Sequence, residues 1–191
     1  MLLLATLAVH AESAKSILDK AAATMSNAGG VEARFEIISK QYGSNSGTIA
    51  IKGRKFYATT GAAAIWYDGQ TQWTYMRQNE EVNISTPSEA EQQAINPYTF
   101  INIYKNGYRL SAKTVGKSYE VHLVATDSKR RTREMYIIVE QKTYHPTHVK
   151  MLQDGKWTVI ILSHLRQANL SDDLFRFNSK DFPKAEVIDL R

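Results

Sequence analysis

The chain has 191 residues, 43% of them hydrophobic and 23% charged, with four prolines, ten glycines and no cysteine. That size suits one domain with a core of its own, and the balance excludes a disordered or collagen-like chain. A net charge of +5 is a mild bias towards anionic partners, but no stacking module or recognition helix accompanies it, so nucleic-acid binding is not expected.

Residues 1–11, from Met1-Leu2-Leu3-Leu4 to Val9-His10-Ala11, form an apolar run without an acidic or basic side chain. The run is shorter than the roughly 20 residues a spanning helix needs, and it reads as the apolar region and cleavage site of a secretory signal peptide. That leaves 12–191 as a single exported domain. With no cysteine in the chain, there is neither a disulfide nor an acceptor for a lipid anchor behind such a leader. Ala11 to Asn27 predicts an amphipathic helix, with Ser13 as N-cap and Ile17, Leu18, Ala21, Ala22 and Met25 on one face. Gly29-Gly30 ends it. Val31 to Ile37 then alternates strictly, as a strand with one dry face does. Gly43-Ser44-Asn45-Ser46-Gly47 reads as a flexible turn; Asn45 stands where a nucleophile elbow would need serine. Thr48–Lys52 and Lys55–Ala58 continue a meander into Trp66-Tyr67-Asp68-Gly69-Gln70-Thr71-Gln72-Trp73-Thr74-Tyr75. There Asp68-Gly69 predicts a type I′ hairpin turn, and Trp73 and Tyr75 share one face. The hairpin carries more aromatic surface than a hairpin needs. Glu81–Ser85 closes this half.

Pro87 to Ile95 opens like the first turn of a helix, and Asn96 to Tyr104 reads as a short aromatic helix. The helices interrupt the strands rather than alternate with them, which predicts an α+β, antiparallel design. Strands resume at Tyr108–Val115, Ser118–Thr126, Thr132–Gln141, Thr147–Gln153 and Lys156–Leu165, with short terminal ones at Leu174–Phe177 and Val187–Leu190. About ten or eleven strands in sequential order would make a strongly curved, half-open β-barrel. The basic run Lys129-Arg130-Arg131-Thr132-Arg133 lies between two of them. It reads as a solvated turn, with a docking patch for an acidic partner or a membrane surface as the alternative.

Catalytic signatures are scarce. His145 and His148 flank Pro146-Thr147, but a zinc site wants three or four ligands and nothing completes one. His122 reads as the solvent-facing partner of Glu120, and His164 has no evident partner. No paired carboxylates, phosphate loop or dinucleotide fingerprint is present. No catalytic set, metal site or cofactor is therefore nominated. What stands out is apolar surface. Phe35, Ile37, Ile49, Ile51, Phe56, Trp73 and Tyr75 would line one face of the curved sheet. Ile17, Leu18 and Met25 on the first helix, with Tyr98, Phe100, Ile101 and Tyr104 on the second, would cover it. The residues alone allow either an ordinary core or a cavity that the helices close reversibly over an acyl chain.

The order of these segments resembles the LolA-like periplasmic lipoprotein carriers over nearly the whole mature chain. Gly47-Thr48-Ile49-Ala50-Ile51-Lys52-Gly53-Arg54-Lys55-Phe56 is similar to the family's strand and its Arg-Pro-x-x-Phe element. Asp68 to Tyr75 resembles its Asp-Gly-x-x-x-Trp-x-Tyr hairpin, Asn96-Pro97-Tyr98-Thr99-Phe100-Ile101 the start of its lid helix, and Phe175-Arg176-Phe177 with Val187-Ile188-Asp189 its closing strands. The resemblance implies a half-open barrel with a helical lid over a lipid cavity lined by Phe35, Ile49, Ile51, Phe56, Trp73 and Tyr75. It also implies a monomer in the periplasm of a Gram-negative bacterium. Such a protein takes acylated lipoproteins from an inner-membrane lipoprotein-releasing transporter and hands them towards an outer-membrane acceptor, touching membranes only transiently. The family's Arg-Pro pair is Lys52-Gly53 here, which makes Lys52 the lid-latch candidate, although lysine lacks the planar fork of arginine. The alternatives are a non-shuttling lipid-binding or envelope-stress-sensing module on the same fold, and a small enzyme using His122, His145 or His148.

Overall fold

The structure is a computed structural model that describes residues 12–26, 28–40, 43–88 and 102–191. Its first element, α1 (Ala14–Met25), starts where the Ser16 amide donates to Ser13 Oγ at 3.1 Å, the N-cap the sequence predicts. Ile17, Leu18, Ala21, Ala22 and Met25 form its buried stripe. The chain then turns at Gly30, whose φ of +98° favours glycine. A Cβ there would sit 2.7 Å from the Ile51 carbonyl oxygen, so the turn is packed as well as bent.

Six strands follow: β1 (Val31–Ser39), β2 (Gly43–Lys52), β3 (Lys55–Thr60), β4 (Ala63–Tyr67), β5 (Gln72–Met76) and β6 (Glu81–Ser85). After the 3-10 turn Ile103–Lys105 come β7 (Tyr108–Val115), β8 (Ser118–Ala125), β9 (Thr132–Glu140), β10 (Pro146–Gln153), β11 (Lys156–Gln167) and β12 (Glu186–Asp189). They build one sheet in the order β12-β6-β5-β4-β3-β2-β1-β11-β10-β9-β8-β7. β11 returns beside β1 and so welds two meanders together, and only the β12–β6 pair is parallel. β12 and β7 remain as edges, so the sheet is open.

The sheet must also curl. Laid flat, β4 and β8 would lie about 34 Å apart at roughly 4.8 Å per strand. The twelve residues of α1 span only about 18 Å. Yet Ala22 and Met25 belong to the core cluster that reaches Tyr67 on β4, and Ile17, Leu18 and Ala21 to the one that reaches Val121 and Leu123 on β8. One helix spans both because the sheet wraps round it. A bulge helps: His164 and Leu165 on β11 oppose Ala33 alone on β1, with His164 at φ +53°.

The antiparallel α+β expectation holds, with corrections. The described residues contain twelve strands, not ten or eleven, and one α-helix rather than a lid of several. Residues 1–11 and most of the expected second helix, including Tyr98, Phe100 and Ile101, lie outside the described residues. Gly43–Gly47 is the start of β2, not a turn, because β1 extends to Ser39 and supplies its hydrogen-bonding partners. Gly47 permits the crossing: a Cβ there would lie 1.9 Å from the Thr59 carbonyl oxygen. Asp68-Gly69 opens a four-residue loop rather than a type I′ turn. The Asp68 carboxylate accepts from the Gln70 and Thr71 amides at 3.0 and 2.9 Å, and the side chain thereby sets the loop. Leu174–Phe177 is not a strand, since Ser171 caps a 3-10 turn over Asp172–Phe175.

Candidate functional site

Residues paired across antiparallel strands share a face, so the register assigns every side chain to one side of the sheet. On the helix side, Phe35 pairs with Gly47 and Leu162, Ala33 with Ile49, Val31 with Ile51, Ile51 with Phe56, and Phe56 with Tyr67. Phe35, Ile49, Ile51 and Phe56 are thus brought together as the sequence predicts, and Ala22 and Met25 of α1 pack against them. The same face continues through Ile160, Val149, Ile137, Met135, Val121 and Leu123, where Ile17, Leu18, Ala21 and Tyr104 cover it. It is not sealed evenly. Ile49, Ile51 and Phe56 are buried, whereas Phe35, Ile37, Ala58, Ile65, Ile160 and Leu162 keep part of their surface accessible. Gln72 also points to this side, and its Oε1 is buried with no partner among the described residues.

Trp73 and Tyr75 lie elsewhere. Trp73 pairs with Trp66 and Ile84, Trp66 with Tyr57, and Tyr57 with Ala50, all on the opposite face from Phe56. The segment after β11, residues 168–182, straps across that face. Tyr75 stands 4.7 Å from Phe182, and Trp66 stands 5.5 Å from both Phe177 and Phe182 (ring centroids). Phe175 is fully buried beneath the strap with Ala50 and Leu170. The aromatic excess of the hairpin is therefore a second core, and the seven residues expected on one wall are divided between two faces. Sequence alternation showed that Trp73 and Tyr75 share a face; only the register shows which.

Lys52 is on the strap side too. Its Nζ donates to the Leu170 carbonyl at 2.8 Å and pairs with Asp172 at 3.0 Å. Lys55 reaches the same carboxylate at 2.8 Å, and the two ammonium groups, Lys55 foremost, hold Asp172 down at about 2. As the latch candidate Lys52 does grip a backbone carbonyl, and among the described residues it is that of the strap. Arg176 ties the strap to the hairpin loop through Asp68 at 3.4 Å.

Polar contacts on its outer side hold α1 in place. Lys20 pairs with Glu12 at 2.5 Å, and the Tyr144 hydroxyl donates to the same Glu12 carboxylate at 2.8 Å. These bonds, Lys20 first, bring Glu12 down to about 2. Further along, the Tyr104 hydroxyl donates to Asp19 at 2.5 Å. Burial, reinforced by the Asp19 charge, pushes the Tyr104 hydroxyl well above its ordinary value. The sequence analysis did not single out Glu12, Asp19 or Tyr144; Glu12 and Asp19 each meet a tyrosine far along the chain, Tyr144 and Tyr104.

The histidines do not converge. His122 pairs with Glu134 at 2.8 Å and stacks on Tyr136 at 4.3 Å on the outer face, while Glu120, its expected partner, pairs with Lys113. Among the described residues His148 bonds only the neighbouring Thr147, and His145 lies in the β9–β10 turn. Among the described residues no three His, Asp or Glu side chains are grouped so that they could hold a metal ion.

The model of the family described as outer membrane lipoprotein carrier protein LolA matches residues 4–156. The chain belongs to that family. The strap and β12 lie beyond the matched stretch. Among solved structures, an uncharacterized conserved protein from Thermus thermophilus is similar with a TM-score of 0.63 and 14% identity, over 93% of this chain and 99% of that one. A LolA superfamily protein from Nitrosomonas europaea is similar with a TM-score of 0.47 and 13% identity, over 87% of this chain and 99% of that one. The Thermus protein shares the fold. No curated protein matches the chain in sequence. Among the described residues no helix is long and apolar enough to cross a membrane.

Proposed function

We propose that this LolA-family chain is a periplasmic, non-enzymatic carrier that shields the acyl chains of lipoproteins on the helix-side face of its sheet. The observation that supports it is the uneven sealing of that face. A fold needing only a core would cover Phe35, Ile37, Ala58, Ile65, Ile160 and Leu162 as fully as it covers Ile51 and Phe56. Phe35, Ile49, Ile51 and Phe56 form the wall of the cavity, and Ile17, Leu18 and Met25 of α1 form its cover. Tyr98, Phe100 and Ile101 stay with the cover as the family resemblance implies. Trp73 and Tyr75 drop out of the wall. In this role the protein collects cargo from the inner-membrane lipoprotein-releasing transporter and passes it on towards the outer membrane.

The energetics are adequate. Each buried methylene contributes about 0.8 kcal/mol, so about ten of them give about 8 kcal/mol, a micromolar affinity. Binding must displace α1 or its contacts, and that cost keeps the cargo releasable. Native mass spectrometry of protein purified from the envelope tests the reading. Bound diacyl or triacyl mass is expected, lost in a folded Phe35→Asn, Ile65→Asn variant. A ligand-free protein that also takes no lipopeptide in vitro would overturn it.

A further inference from the structure

The strands run alternately between two ends of the sheet. At the near end, where β1 begins, lie the β9–β10 turn with Tyr144, the exit of α1 and the strap anchor at Lys52. At the far end lie the β1–β2, β8–β9 and β10–β11 corners and the start of β7. Charge is distributed very unevenly between the two. Across β7 to β2 the far end carries Lys40, Lys105, Arg109, Lys129, Arg130, Arg131, Arg133 and Lys156 against Asp127, Glu134 and Asp154 among the described residues. That local net of +5 equals the +5 of the whole chain. At the near end most charges are matched in pairs, Lys20 with Glu12, Arg166 with Glu32, Lys52 and Lys55 with Asp172, Arg176 with Asp68, while Lys117 and Lys142 are in no ion pair among the described residues. On the far rim, Arg131 with Asp154 is the one lysine or arginine ion pair among the described residues.

The rim is also built, not merely charged. Arg130 lies over the Tyr108 ring at 5.0 Å, and Arg133 donates to the Ser128 carbonyl at 2.7 Å, so both guanidinium groups are held in place at the β8–β9 corner. Trp157, the second residue of β11, adds a half-buried indole with the Lys150 ammonium 4.5 Å from its ring. An aromatic residue beside a row of cations suits the boundary between lipid headgroups and water. Position completes the argument. Ile37 and Ile160, paired across β1 and β11, keep accessible apolar surface three and four residues from Lys40 and Lys156. α1 is tied to Tyr144 at the opposite end through Glu12 and Lys20, and through Asp19 to Tyr104 ahead of β7.

We infer that the far rim docks on the anionic surface of a bilayer, its cations facing lipid phosphates, so that the accessible end of the apolar face meets the membrane from which acyl chains arrive. The inference rests on the carrier reading. It adds a lipid surface as a partner and gives the protein a direction of approach. An acyl chain released by the transporter at that surface would then enter between β1 and β11 without crossing open water. The attraction is electrostatic, so it is reversible and weakens with salt, as a shuttle requires.

Co-sedimentation with vesicles tests it, using neutral phosphatidylcholine and a mixture with phosphatidylglycerol. Wild-type protein is expected to bind the anionic vesicles at low salt, to release at high salt and to ignore the neutral ones. Lys40→Glu, Lys129→Glu, Lys156→Glu alters three exposed cations that hold no ion pair among the described residues. It should lower partitioning by about two orders of magnitude, each cation near such a surface contributing roughly fivefold. Lys117→Glu, Lys142→Glu at the near end removes similar charge and should change partitioning by no more than a few-fold. Lipopeptide binding in detergent, measured on the same proteins, should be unchanged, which separates loss of docking from loss of the cavity. Equal binding to neutral vesicles, or equal loss in the near-end variant, would overturn the inference. So would binding that millimolar inorganic phosphate abolishes at constant ionic strength, since that marks a site for a free anion.

Discussion

Replacing Lys52 with leucine distinguishes a strap anchor from a lid latch. The side chain is 28% exposed and its ammonium bonds the Leu170 carbonyl at 2.8 Å. A charged hydrogen bond to a partly buried carbonyl contributes about 1.5 kcal/mol, equivalent to roughly tenfold in a local opening equilibrium. The accompanying pair with Asp172 adds little, because that carboxylate is well exposed and Lys55 still holds it. Leucine fits the length of the stem but leaves the carbonyl without its donor. Hydrogen exchange reads the result by segment. The Ala168 and Leu170 amides, which donate to Gly30 and Gly29, should exchange about tenfold faster, while the amides of α1 keep their wild-type rates. Faster exchange across α1 with an unchanged strap would refute the assignment and return Lys52 to the lid.

Three further outcomes follow from the same geometry. Trp73→Ala should cost about 2 kcal/mol in urea denaturation, as a half-buried indole is lost from the strap core, and leave lipopeptide affinity unchanged; a weaker affinity would put Trp73 back in the cavity. Gly47→Ala should cost about 3 kcal/mol or more, since its Cβ would lie 1.9 Å from a backbone oxygen on β3; a wild-type denaturation midpoint would contradict the β2–β3 approach. Glu12 carries a pKa lowered from 4.5 to about 2, so its contribution is present above pH 4.5 and is lost as pH falls through 2. Denaturation midpoints of wild type and Glu12→Gln should therefore differ at pH 6 and converge towards pH 2, and a gap independent of pH would show that Glu12 acts by packing alone.

Local pattern made much of this fold legible. The helix with Ser13 as its cap, the alternation at Val31 and most of the second meander follow from period and capping, which depend on near neighbours. Errors came where a contact outside the local pattern decides. Gly43–Gly47 has turn composition, yet β1 offers it a ladder and it extends. The Asp68 carboxylate made a longer loop than the dipeptide suggests. Trp73 and Tyr75 were visible as a pair, but the choice of face belongs to the β3–β6 register and to Phe177 and Phe182, more than a hundred residues later. Lys52 was singled out as a cation on a carbonyl, and the carbonyl it meets among the described residues, that of Leu170, lies 118 residues later. The basic rim needed the topology, because its cations come from four separate corners of the chain.

Photo-crosslinking with a lipopeptide that carries a diazirine in its acyl chain, mapped by mass spectrometry, tests the central claim most directly. The account predicts adducts on Phe35, Ile37, Ile65, Ile160 or Leu162, competed by unlabelled lipopeptide, and none on Trp73, Tyr75 or the strap. Competed adducts confined to Trp73, Tyr75, Phe177 or Phe182 would contradict it, as would labelling that no lipopeptide competes.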